Sequence, residues 1–127
     1  MPKKEIVQVD MAAPNVNLST ATRFGNLVFV AGQTGRHHET GEVGKDIREQ
    51  VRFTIDKIQI ILEAAGTSLD NVLSVLTHLT GRQYLDAYNE EYNKYFPTNK
   101  PARTTVHVDL NAPELLVEIT VVACIPD

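Results

Sequence analysis

The chain has 127 residues, 43% of them apolar, and a formal net charge of −4; that is enough for one domain, residues 1–127, too short for two ordinary ones and too apolar for a disordered chain. The acidic balance opposes nonspecific nucleic-acid binding, whose affinity comes from Lys and Arg neutralising phosphates, and no apolar run approaches the roughly 20 residues of a membrane helix. A single cysteine, Cys124, excludes an internal disulfide and, with no apolar leader segment after Met1, leads us to expect a cytoplasmic protein with neither membrane nor nucleic acid as partner.

In chain order, residues 6–9 alternate apolar and polar, as a half-buried strand does. Residues 14–20 are loop-like. The apolar run at residues 26–31, bounded by Gly25 and Gly32, reads as a buried strand. A polar loop over residues 37–44 precedes a helix. Asp46 is its expected N-cap, with Glu49 three residues on as in a capping box. Ile47, Val51, Thr54, Ile55, Ile58, Ile61, Leu62 and Ala65 then form one helical stripe, and Gly66 is placed to end it in a left-handed conformation. Residues 72–80 read as a strand. Thr80 and Gln83 suggest a second capping box, before Leu85, Tyr88, Tyr92 and Tyr95 or Phe96 at helical spacing. Pro97 and Pro101 stop that helix. Strands at residues 103–108 and 116–125 close the chain. Helices on one face of a mixed sheet satisfy this order, an α+β fold.

The closing strands carry the chemistry. Alternation puts Arg103, Thr105 and His107 on one face of the first, and Glu118, Thr120, Val122 and Cys124 on one face of the second. If the two pair as a wide hairpin, Arg103 and Glu118 share the side of the sheet away from the core. A carboxylate inside the run Leu-Leu-Val-Glu-Ile-Thr-Val-Val needs a structural ion partner or a functional reason.

The segments Pro101-Ala102-Arg103-Thr104-Thr105-Val106 and Leu116-Val117-Glu118-Ile119 resemble the signature of the Rid (YjgF-like) family of enamine/imine deaminases. Ala31-Gly32-Gln33, Thr40-Gly41-Glu42-Val43, the segment from Ala64 to Val72 and that from Asn89 to Pro97 are similar to family segments in the same order. The resemblance implies a chorismate-mutase-like fold and a homotrimer with ligand clefts between subunits. It implies that Arg103 grips a substrate carboxylate and that Glu118 orients the attacking water. Gly32, Gln33, Asn89, Tyr92, Leu18, Ala31 and Thr105 fall at its substrate-binding positions. A guanidinium fork suits a carboxylate, and a carboxylate can hold a water beside an imine carbon. An iminium carbon is already electrophilic, so neither metal nor cofactor is expected.

The departures bear on the substrate. Leu18 stands where the family has a tyrosine, after Val16-Asn17 in place of Gly-Pro. Ala31 replaces a serine, and Thr105 a cysteine found in some members. The loss of hydroxyls leaves a more apolar rim. The expected reaction is hydrolysis of a 2-enamino or 2-imino acid to a 2-keto acid and ammonia. The alternatives are a pathway-specific deaminase of a longer unsaturated amino acid, aminomuconate-like, and a trimeric carboxylate binder without turnover. Ribonuclease activity, described for some relatives, is disfavoured by the acidic charge and the lack of a catalytic His pair. His37, His38 and Glu39 offer donors, yet adjacent histidines rarely converge on one metal. His78 reads as a hydrogen-bonded structural residue, His107 as a rim candidate and Cys124 as an apolar filler.

Overall fold

The computed structural model describes residues 1–12 and 14–127. Strands β1 (Glu5–Val7), β2 (Ala21–Phe24), β3 (Leu27–Thr34), β4 (Val72–Leu79), β5 (Ala102–His107) and β6 (Val117–Cys124) form one sheet in the order β1-β2-β3-β6-β4-β5. Helices α1 (Ile47–Ala64) and α2 (Leu85–Tyr95) cover one face, the α+β arrangement expected. Among the described residues no helix covers the other, outer face.

The hairpin expected between the last two strands does not form. Strand β5 pairs in parallel with β4, and β6 inserts between β3 and β4, antiparallel to both. The reason is chain geometry: a parallel pair needs a crossover, and α2 supplies it between β4 and β5. The last strand, buried on one face along its whole length, then takes the centre of the sheet. Gln50 on α1 helps seat it. Its side chain donates to the carbonyls of Gly44 (3.1 Å) and Glu114 (3.0 Å) and accepts from the Leu116 amide (2.8 Å).

Strand β2 is absent from the expectations. It is four residues long with Arg23 inside it, too short and mixed for a pattern to show. Gly25, read from sequence as a boundary, is the hairpin turn joining β2 to β3, with φ +58°. Gly32 likewise does not bound a strand. β3 runs through it to Thr34, with a bulge between Val30 and Gln33. β1 is displaced by one residue at its start, at Glu5 rather than Ile6, and ends at Val7.

Helix α1 begins as its sequence demands. Asp46 Oδ1 accepts from the Glu49 amide at 2.9 Å, while Glu49 reaches back to the Lys45 amide rather than to that of Asp46. Val51, Ile55, Ile58, Ile61 and Leu62 are all but fully buried. The second capping box is not made: Gln83 lies over Gly81, and a short 3₁₀ turn, Arg82–Tyr84, leads into α2 without a side-chain cap. Tyr88, Tyr92 and Phe96 pack α2 into the core, and the Tyr88 and Thr77 hydroxyls share a hydrogen bond of 2.5 Å. Burial pushes the Tyr88 phenol up to about 12. Between the helices, the buried Glu91 carboxylate lies near Arg48 (3.5 Å), Arg52 (3.6 Å) and Lys94 (3.1 Å).

At the end of α1, the Gly66 amide donates to Glu63 O and the Thr67 amide to Leu62 O, with Gly66 at φ +90°. This is a Schellman cap. A Cβ on Gly66 meets nothing within 4 Å, so the cost of adding one is conformational alone. Gly66→Ala is expected to lower the unfolding free energy by about 1–2 kcal/mol, read from urea titrations; unchanged stability would show that the cap relaxes.

Candidate active site

Val75 and Arg103 are paired in the β4–β5 ladder, and Val75 faces the core. Arg103 therefore points to the helix side. Its guanidinium lies over the rings of Tyr88 (5.0 Å) and Tyr92 (4.7 Å), and Nη2 donates to Asn89 Oδ1 at 2.8 Å. Among the described residues no carboxylate pairs with it. It opens on a concavity of about 280 Å³ with Asn89, Tyr92, Lys100 and Pro101 in the wall. Thr105 follows two residues on, on the same face. The Tyr92 hydroxyl is buried there without a hydrogen-bond partner, and burial raises its pKa. A fork held on two rings, with one N–H committed and the rest available, is built to take a planar anion.

Glu118 lies on the opposite face. Val117 and Ile119, its neighbours in β6, are buried against the helices, so alternation turns Glu118 outward. The expectation that Arg103 and Glu118 share one side of the sheet is corrected. It rested on the hairpin; with β4 between the two strands, each residue follows its own ladder. Glu118 faces a larger cavity of about 480 Å³, whose wall includes Leu18, Gly32, Gln33, Lys57 and His78.

The bulge in β3 shapes this second half. A Cβ at Gly32 would stand 2.7 Å from Glu118 Cδ, so only a bare backbone lets the carboxylate lie there. Gln33 folds back to donate to Ala31 O at 3.0 Å, and the Ala31 amide donates to Thr20 O at 2.9 Å. These bonds tie the bulge to the loop that carries Leu18. The expected site residues thus divide: Arg103, Asn89, Tyr92 and Thr105 lie on the helix side; Glu118 faces outward into the second cavity, whose wall Leu18, Gly32 and Gln33 share, with Gln33 itself paired to the core-facing Ile119 and Ala31 in the bulge.

Other candidates resolve individually. His37 and His38 stack at 4.7 Å, and with Glu39 their donor atoms lie within 4.8 Å of one another, closer than adjacent histidines were expected to come. His37 Nδ1, however, accepts from the Glu39 amide (3.1 Å) and the Thr40 amide (3.4 Å), which makes it a turn residue. His107 is exposed and lies in neither concavity. Cys124 is half-buried on the outer face. His78 departs from expectation: its Nδ1 is buried without a hydrogen-bond partner, 3.8 Å from Glu118 Oε1. Lys57 and Lys100 were not anticipated. Lys57 sits on the apolar stripe of α1, where only its charge marked it.

The family model described as endoribonuclease L-PSP matches residues 9–125. A RutC family protein of Pyrococcus abyssi is 38% identical over 122 residues, 94% of this chain and 96% of that one. A protein named 3-aminoacrylate deaminase RutC, of Acinetobacter baylyi, is 35% identical over 97% of this chain and 98% of its own. Among solved structures, RidA of a Psychrobacter species (30% identity, TM-score 0.88) covers 94% of this chain and 98% of its own. The Rid-family protein YyfA of Yersinia pestis (28% identity, TM-score 0.88) covers 96% and 99%.

Burial, and then the charge of Arg36, push the Lys57 ammonium from 10.5 down to about 8. Between those values the unfolded chain holds a proton that the folded chain has released, so this group's contribution to stability rises with pH across the window. Below pH 8 it is a net cost. Lys57→Met is therefore expected to be more stable than the parent at pH 7, with the advantage shrinking as pH climbs from 8 to 10. Urea unfolding over that range measures it, and a difference that does not change with pH would reject the assignment.

Proposed function

The chain belongs to the RutC/Rid family, and from that premise we propose that it hydrolyses a 2-enamino or 2-imino acid to the 2-keto acid and ammonia, at a site shared between two copies of the chain. One observation carries the reading: the half-buried Arg103 guanidinium has no carboxylate partner among the described residues. A desolvated charge without a counter-ion is costly, and a ligand carboxylate removes that cost. Since Glu118 lies across the sheet, a water held by Glu118 meets that ligand only if the two residues come from different copies. The outer face supports such assembly, with Phe24, Leu27, Phe29 and Leu76 exposed on it. A trimer closed by three equivalent interfaces buries this face and makes three such clefts.

In this mechanism Arg103 fixes the carboxylate and so places the imine carbon. Glu118 of the neighbouring copy orients a water and takes its proton as the oxygen attacks. Collapse of the carbinolamine expels ammonia. A second reading, a deaminase for a longer unsaturated amino acid, is favoured by the size of the Glu118 cavity and by the Leu18 rim. The formal charge of −4 disfavours RNA as substrate.

Light scattering is expected to give about three times the 14.1 kDa chain mass; a monomer at micromolar concentration contradicts the shared site. Glu118→Gln keeps the side-chain shape but cannot take a proton. Turnover should fall about 10²–10⁴-fold while 2-keto acid binding persists, and a stable variant working at the parent rate would remove Glu118 from the chemistry. Arg103→Ala alone should also be inactive. Refolded together one to one, the two variants should regain about a quarter of the sites if each site takes one residue from each neighbour; no recovery means that both come from one copy.

A further inference from the structure

His78 on β4 stands directly across from Glu118 on β6, both on the outer face. Its Nδ1, buried and without a hydrogen-bond partner among the described residues, is 3.8 Å from Glu118 Oε1. That is ion-pair distance, too long for a hydrogen bond. On its other side the carboxylate lies against the bare Gly32 backbone. The carboxylate is thus confined between an imidazole and a glycine, and all three residues face the same cavity. A buried nitrogen left unpaired is costly, and nothing else described in the fold uses this one. Ion pairing would satisfy it, but a structural pair has no need of a cavity in front of it.

An enamine, unlike an imine, cannot be hydrolysed until a proton has been added to carbon. We propose that His78 and Glu118 form a proton-transfer pair that protonates the β-carbon of an enamine substrate, with Glu118 handing over the proton and His78 as the positioning residue that holds its carboxyl group and supplies that proton. This rests on the deaminase reading above. The pair brings one proton into the reaction. The carbon–carbon π electrons take it through Glu118 and form the new C–H bond, while the nitrogen lone pair closes the C=N bond to give an iminium. Water then adds its oxygen to the iminium carbon, and its released proton returns through the Glu118 carboxylate to His78. The pair passes that proton on to nitrogen, the C–N bond breaks as the O–H proton returns to the pair and the C=O bond forms, and ammonia leaves. The sum is enamine plus water to keto acid plus ammonia, with no oxidant, reductant or metal consumed. Imidazole is the side chain suited to taking and returning a proton near neutral pH.

The test compares two substrates generated in situ. 2-Aminocrotonate is an enamine and needs carbon protonation; iminoacetate has no β-carbon and needs none. His78→Gln and His78→Asn would be assayed on both for ammonia release above the spontaneous rate, with KM and kcat separated and thermal melts recorded beside them. The expected result is a loss of kcat on 2-aminocrotonate about tenfold or more beyond the loss on iminoacetate. Equal losses on the two substrates, or no loss on either, overturn the pair, whatever the melts show. A parent protein that turns over neither substrate overturns the deaminase reading itself, a failure visible before any variant is made.

Discussion

The alternation of side chains along β6 is the constraint from which the rest of this structure follows. Val117, Ile119, Val121 and Ala123 are each no more than 1% exposed, and fully burying a Val or Ile contributes roughly 1.5–3 kcal/mol. A slip of one residue would exchange them for Glu118, Thr120 and Val122 and set a carboxylate in the core. The register with β3 and β4 is thereby pinned on both sides at once. Because β6 is central, that same register decides what stands beside Glu118: His78 on one flank and the bulge at Gly32 on the other.

The sheet also keeps the two charged groups apart. Arg103 hangs over the helix-side aromatics, and Glu118 opens toward the outer face. Within one chain they cannot pair with each other. A structural ion pair, the plain explanation for a glutamate in an apolar run, is ruled out for these two by the fold. The exposed apolar residues Phe24, Leu27, Phe29 and Leu76 lie on the same outer face as the Glu118 carboxylate, so the proposed assembly and the proposed chemistry share one surface.

Polar side chains do much of the positioning. Gln50 ties the start of α1 to the segment entering β6, and a Cβ on Gly35 or Gly44 would collide with it. Gln33 and Ala31 fasten the bulge beside Glu118. Asn89 and the two tyrosines hold Arg103 from α2. The long-range Gln50 bonds seat β6, while the two halves of the candidate site are held by contacts between neighbouring elements, which fixes the side chains in place.

Local physics made part of this legible without coordinates. The α1 stripe, the Asp46 cap, the Gly66 stop and the apolar face of β6 depend on residues within a turn or a pleat of one another, and their spacing alone specified them. The glutamate in β6 stood out as an anomaly within an apolar strand, and the resemblance to the family signature around Arg103 and Glu118 pointed to the same residues. What spacing could not carry was pairing. A hairpin between the last two strands and a split by β4 put the same residues in each strand and differ only in long-range hydrogen bonds. Which face Arg103 takes, whether His78 meets Glu118, and why Gly32 must lack a side chain were decided only when β6 entered the centre of the sheet. Strand neighbours are chosen by which faces can be buried together, and burial is a property of the assembled layers rather than of any one segment.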